Sequence, residues 1–448
     1  LTTRKPAVEE PERMSPFAPR AERRFGARAI HLSAALLLAL AGCAAPPASD
    51  PAASPVAAAP AQTATSAPPP AAAQPAPAAP AAPPPTLPFD QAVLAAADSL
   101  LARAPAPAAG TRGLVIDPLI DGVTGAQSVA TQAMGARLAQ LIKDKHPAFD
   151  VQPFRASTVQ QGPLLLIGTL TGVNGERKTE GLRQAYRVCL ALADLKTGKL
   201  VAKGLAFATP EGVDPTPLPF FRDNPAWLDD AATTGYVRTC QGTKAGDPIN
   251  PAYIDRVITA ATVAEAIDAY GAGKFADALK LYETAAHSPG GDQLRVHSGL
   301  YLTNLKLRRM GPARQAFGEI VDRGLDARLL GLKFLFRPGT AAMWVDPAAG
   351  PLPYPMWLTE IARRASKRST CLELAGHTSP TGAEPLNERL SLLRAESVRK
   401  SIEVIAPAMR KRMDAKGFGS AQTLVGNGRD DLSDALDRRV ELRVKDCG

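Results

Sequence analysis

The spacing of apolar positions divides the chain into stretches of different character. An unbroken apolar run, Ile30 to Ala41, follows Arg20, Arg23, Arg24 and Arg28. From Ala44 to about Pro88 there is no period at all: the segment is almost only alanine and proline, with Asp50 its single charge. Such a segment cannot bury enough side chain to offset its ordering entropy, so residues 44–88 read as a disordered, extended spacer. Periodicity begins near Phe89. Ala92–Ala104 predicts a short amphipathic helix and Gly113–Asp117 a buried strand. Ala126–Lys143 predicts a helix with Ala130, Met134, Leu138 and Leu141 inward. Pro163–Leu170 predicts a second apolar strand. Tyr186–Asp194 and Lys199–Phe207 alternate on either side of Lys196-Thr197-Gly198, a hairpin signal. An α+β domain over residues 89–250 is the expectation. Pro215–Trp227, rich in Pro and Phe, reads as an exposed binding loop or, the favoured reading, as a plug in the core.

From Tyr253 to about Leu325 the period is helical throughout, giving a helical domain over 251–328. Gly273–Tyr282 recurs in degraded form as Arg308–Phe317, at an offset of 35 residues. Residues 329–448 return to mixed structure. A strand at Phe334 precedes a helix over Met356–Ala365 and a strand from Cys371. A glycine-punctuated loop, Gly376-His377-Thr378-Ser379-Pro380-Thr381-Gly382, leads into a helix with Asn387 as N-cap. Leu390, Leu393, Val398, Ile402 and Ile405 are its expected inner face. A short helix over Ala408–Ala415 and strands over Ala421–Val425 and Arg439–Lys445 complete the prediction. The whole is an α+β multidomain chain.

Composition narrows the function classes. The chain has 448 residues, 42 of them proline, a net charge of +9 and only 5% aromatics. No zinc-finger spacing and no run of alternating basic and aromatic residues accompanies the basic balance, which argues against nucleic acid as a partner. No His-Glu-x-x-His pair, P-loop or Gly-x-Ser-x-Gly elbow is present, so neither an enzyme nor a metal or cofactor site is expected. Beyond Cys43 there are Cys189, Cys240, Cys371 and Cys447, an even number suited to bridges in an exported chain. Pairing cannot be deduced from sequence; the economical arrangement keeps each bridge within a domain, Cys189 with Cys240 and Cys371 with Cys447. As small buried hydrophobes they would need no pairing.

Three resemblances add to this reading. Residues 14–43 have the plan of a secretory leader, with Met14 the expected natural start. The leader's end, Leu40-Ala41-Gly42-Cys43, resembles the bacterial lipoprotein processing site. That resemblance implies a lipid on Cys43, and Ala44 in place of aspartate implies the outer membrane, with the chain facing the periplasm. The 35-residue repeat resembles the tetratricopeptide repeat, in which small alanines let paired helices approach. It is compatible with a groove for a protein partner or with a helical spacer.

The third covers about residues 330–448. Gly376-His377-Thr378, Gly382, Asn387, Leu390-Ser391, Arg394-Ala395, Gly417-Phe418-Gly419 and Asp437-Arg438-Arg439-Val440-Glu441 resemble the OmpA-like peptidoglycan-binding domain. The resemblance implies a βαβαβ arrangement of a sheet backed by helices, holding the diaminopimelate of a cell-wall stem peptide. Arg394 would then pair with a ligand carboxylate, supported by Asn387 and Thr378, with Arg438 at the site. Two positions depart from the family: Ser379 replaces the aspartate that takes the ligand ammonium, and Asp437 stands where asparagine is commoner. The expected function is an outer-membrane lipoprotein that grips peptidoglycan and tethers membrane to wall. The alternative is an envelope scaffold whose middle domains recruit a secretion or wall-synthesis partner.

Overall fold

In the computed structural model the described residues are 84–105, 110–227, 230–344 and 353–447. The leader, the expected start at Met14, the lipidation site Cys43 and the Ala/Pro spacer through residue 83 lie outside them. The elements described belong to one compact unit, Ala79–Gly448.

The first sheet is built from β1 (Thr86–Leu87), β2 (Arg112–Ile116), β3 (Ile120–Asp121), β4 (Phe149–Gln152), β5 (Leu164–Val173), β6 (Ala185–Asp194) and β7 (Lys199–Ala208). Their order is β1-β7-β6-β5-β2-β4, with β3 also on β5. The long strands β5, β6 and β7 form an antiparallel meander, and β5 pairs with β6 along its whole length, Leu164 opposite Asp194 to Val173 opposite Ala185. Both faces are covered. On one, α1 (Phe89–Leu101) and α2 (Val129–Lys145) bury Ala92, Ala96, Leu100, Met134 and Leu138 against Leu166 and Leu190. Gly204 permits this, since a Cβ there would stand 1.9 Å from the Ala96 carbonyl oxygen. On the other face lie Tyr236 and Cys240 of α5 (Ala231–Gln241), together with Tyr253. Cys189 of β6 is disulfide-bonded to Cys240, with Cα atoms 6.3 Å apart. Neither β4 nor α5 is signalled by the sequence; α5 is a run of small and polar residues started by an Asp230 cap on the Thr233 N–H.

Next come α7 (Val257–Gly271), α8 (Phe275–His287), α9 (Leu294–Lys306) and α10 (Met310–Asp326), after the short helices α3 (Ala156–Val159), α4 (Pro219–Asp223) and α6 (Pro251–Ile254). The Pro/Phe-rich segment carrying α4 is a plug. Phe220 is buried, its ring stacked on Tyr282 at 5.9 Å and edge-on to Tyr270 at 5.8 Å. Asp223 beside it accepts the Tyr270 hydroxyl at 2.7 Å and pairs with Lys306 at 3.0 Å.

The second sheet comprises β8 (Leu329–Leu335), β9 (Cys371–Gly376), β10 (Met413–Gly417) and β11 (Arg439–Lys445) in the order β10-β9-β11-β8. Between them run α11 (Tyr354–Ser366) and α12 (Glu384–Ile405). Cys371 and Cys447 form the second disulfide. One hydrophobic core runs without a break from Phe220 through the four long helices to Leu442 of β11. Trp357 of α11 joins the two parts: its ring stacks on Phe317 at 5.5 Å and its Nε1 donates to the Tyr301 hydroxyl at 2.7 Å. The four helices thereby share their core with α11 and the second sheet.

Several expectations about this last part are corrected. The short helix expected over Ala408–Ala415 is a 3-10 helix over Pro407–Arg412, and from Met413 the chain is strand β10 instead. Ala421–Val425 is not a strand, because the N–H groups of Leu424, Val425 and Gly426 are taken by a carboxylate rather than a neighbouring strand. Arg364 of α11 and Arg368 just after it both pair with Asp322 of α10.

Asp117, just after β2, is buried, and its carboxyl accepts the Tyr253 hydroxyl. Burial pushes its pKa up to about 7, against smaller opposing effects of Tyr253 and Arg295. A carboxyl raised in this way favours the fold below its unfolded pKa, near 4, and that advantage is lost as pH rises through about 7. Asp117→Asn keeps an acceptor for Tyr253 and cannot ionise. Its melting temperature is expected to gain on wild type progressively between pH 5 and pH 8, as read by thermal melts at stepped pH.

Candidate functional site

The site lies where β9 runs out into the 377–383 loop and α12 begins. The helix starts at Glu384 with Ala383 as N-cap, so Asn387 is not the cap. Its Nδ2 instead donates to the Thr381 carbonyl at 3.1 Å, pinning the loop over the first turn. The inner face of α12 also differs from expectation. Asn387, Ser391, Arg394, Ala395, Val398 and Ile402 are buried, whereas Leu393 and Ile405 are 53% and 42% exposed. The reason is distance. A Cβ on Gly376 would stand 1.9 Å from the Ser391 carbonyl oxygen, and one on Gly417 2.5 Å from that of Glu388. A helix so close to the sheet turns its small and polar residues inward near its start. Ser391 Oγ accepts the Gly419 N–H at 3.0 Å.

Arg394 is 1% exposed. Its Nε donates to the Thr340 carbonyl at 2.9 Å, Nη1 to that of His377 at 3.1 Å and Nη2 to that of Arg337 at 3.1 Å. The guanidinium stands 5.3 Å above the Phe336 ring. Burial, and then the neighbouring Arg438, bring its pKa down to about 10. It therefore ties the end of β9 to the turn that follows β8.

Ser379 and Thr381 both donate their hydroxyls to one carboxylate, that of Asp430, Thr381 at 2.6 Å. Asp430 is a third exposed and sits at φ 57°, its N–H donating to Asp434 at 3.0 Å. These hydroxyls and Arg438 hold its carboxyl below the usual range, against the effect of burial. Arg438 is buried and pairs with Asp434 at 2.6 Å and more distantly with Asp430 at 3.4 Å. The structure thus gathers Ser379, Asn387, Arg394 and Arg438 around the two loops, with Asp430, Thr381 and Asp434 added to them. Sequence reading missed these three. Asn427-Gly428-Arg429-Asp430-Asp431 carries turn chemistry, but nothing local ties it to a loop 51 residues away.

The remaining family positions are structural in their contacts. Thr378 is buried with its Oγ1 unpartnered, and its N–H donates to the Gly419 carbonyl at 2.9 Å. His377 is fully buried and stacked on Phe418 at 5.5 Å. Its Nε2 lies 3.2 Å from Glu441 but without hydrogen-bond alignment, and burial with Arg439 nearby lowers its pKa to about 4, so the ring is neutral. Asp437 accepts N–H bonds from Leu424, Val425 and Gly426 at 2.6, 2.9 and 2.7 Å. Among the described residues no group of three or more His, Cys, Asp or Glu is placed to hold a metal ion, and no helix is long and apolar enough to cross a membrane.

No protein-family model matches the chain, and no curated protein matches it. Among solved structures it is similar to the peptidoglycan-associated lipoprotein of Burkholderia pseudomallei, at 21% identity over 25% of this chain and 89% of that one, with a TM-score of 0.22. It is also similar to the C-terminal domain of Helicobacter pylori MotB, at 20% identity over 25% of this chain and 83% of that one, with a TM-score of 0.21. Likeness at this level assigns neither family nor function.

The three N–H groups on Asp437 give a test of the loop's support. Asp437→Ala leaves them buried without an acceptor and is expected to cost about 3–5 kcal/mol in urea unfolding. Asp437→Asn keeps one oxygen acceptor and is expected to cost about 1–2 kcal/mol.

Proposed function

We propose that the part from about residue 329 to the last residues binds peptidoglycan stem peptides without covalent attachment. In this reading the chain, lipidated at Cys43 in the outer membrane, tethers that membrane to the wall from the periplasmic side. The observation that carries the reading is the Ser379–Thr381–Asp430 cradle beside two arginines. Ser379 brings no charge where the family has an aspartate. Asp430, reached from the opposite loop, supplies an anionic carboxylate against the Ser379 hydroxyl and is partly open to solvent. It is the group we assign to the ligand ammonium.

Arg394 is assigned to the ligand carboxylate, with Asn387 holding the loop and Thr378 and Arg438 shaping the site. A guanidinium has five N–H donors; the carbonyls of Arg337, Thr340 and His377 already engage all three of its nitrogens. A carboxylate therefore uses the remaining N–H bonds or displaces the carbonyls of the Arg337–Ala342 turn. Bidentate charge-assisted bonding is stronger than neutral bonding to carbonyls, which favours the exchange.

Purified sacculi test the roles. Asp430→Asn and Arg394→Ala are each expected to lower the retained fraction at least tenfold, a loss of about 1.4 kcal/mol or more, with circular dichroism unchanged for Asp430→Asn. Equal retention of Asp430→Asn and wild type would remove the acid from the site. Expressed from Met14 in a diderm bacterium, the chain is expected in the outer-membrane fraction. Cys43→Ser, which removes the thiol that takes the lipid, is expected to take it out of the outer-membrane fraction.

A further inference from the structure

The loop that carries Asp430 is not held by the second sheet alone. The β5–β6 connection of the first sheet, residues 174–184, reaches across to it. The Arg183 N–H donates to the Gly426 carbonyl at 3.0 Å, and Arg183 Nη2 donates to the Thr423 carbonyl at 3.2 Å. Thr423 Oγ1 returns a bond to the Gly181 carbonyl at 3.2 Å. The fit is close enough to require glycine at 426, where φ is +68° and a Cβ would stand 2.8 Å from the Gly181 oxygen. Arg183 is 5% exposed, sealed into this joint.

Between these two anchored residues, Leu182 is left 50% exposed. Its neighbours locate it. A Cβ placed on Gly428 would lie 3.6 Å from Leu182 Cδ1, 3.8 Å from Pro380 Cγ and 4.0 Å from Thr381 Cγ2. Side chains of the first sheet's connection and of the 377–383 loop therefore converge on one glycine, two positions before Asp430. A half-exposed leucine fixed by its flanking residues against the loop that carries a partly exposed carboxylate is suited to a ligand with an ammonium at the end of an aliphatic stem.

We propose that Leu182 is a binding residue of this site: it forms, with Pro380, the apolar wall on which the methylene chain of the ammonium-bearing ligand residue lies. The assignment rests on the reading of Asp430 given above and deepens it, since the binding surface is then shared between the two sheets. Arg183 and Thr423 are positioning residues for that wall.

The test is calorimetric titration of the full chain in detergent with a synthetic diaminopimelate-containing stem peptide. Leu182→Ala is expected to weaken binding about fivefold, the loss from uncovering about half a leucine side chain. Its melting temperature should be unchanged, and Leu182→Met should recover most of the affinity. Val404→Ala, at an 82% exposed position on the far turn of α12, serves as control and should bind as wild type does. If Asp430→Asn weakens binding while Leu182→Ala matches wild type, the wall is overturned and the site confined to the second sheet. If wild type takes up no peptide, or Asp430→Asn is without effect, the stem-peptide reading fails and the Leu182 assignment with it.

Discussion

A guanidinium removed from water must find acceptors, and in this chain Arg394 finds them on the backbone. Carbonyls of His377, Arg337 and Thr340 surround it, so one side chain fixes the end of β9, the turn after β8 and the entry of α12 relative to each other. The cost of burying a charge is several kcal/mol unless it is well bonded. Three carbonyl acceptors and the Phe336 ring, with the charge of Asp430 acting at longer range, offset that cost.

Around this centre the second sheet is organised by close approach. Gly376 and Gly417 let α12 lie against β9 and β10 at a distance that no side chain at those positions would allow. That proximity selects which face of α12 turns inward. Its leucines are left toward solvent near the start of the helix, while Ser391 and Arg394 are sealed beneath it. Further along, Val398 and Ile402 are inward as hydrophobicity dictates; near the start, the buried arginine and the fit between glycines decide otherwise.

The loops that form the site are held by carboxylates rather than by strand pairing. Asp437 collects three N–H groups, and Asp434 collects the Arg429 and Asp430 N–H groups together with Arg438. A carboxylate can accept several bonds at once, which suits aspartate to position 437. It also explains why an apolar stretch such as Leu424–Val425 forms no strand: its donors are already in use. The first sheet enters the same joint through Arg183, so the two sheets are coupled at the point where the candidate ligand would sit.

What the sequence by itself determined is the part governed by local period. The meander of β5, β6 and β7, the helices α1 and α2, the four helices with their repeated alanines and aromatics, and β8, β9 and β11 of the second sheet follow from spacings of two or 3.6 residues. Its motif order also brought Ser379, Asn387, Arg394 and Arg438 to notice. Tertiary structure alone decided that β4, β10 and α5 form; α5 is a run of small and polar residues started by the Asp230 cap. It alone decided which face is buried near the start of α12 and that Asp430 faces Ser379. Each depends on a partner far along the chain, and the strength of such a contact is set by burial and alignment in three dimensions, which no local pattern records.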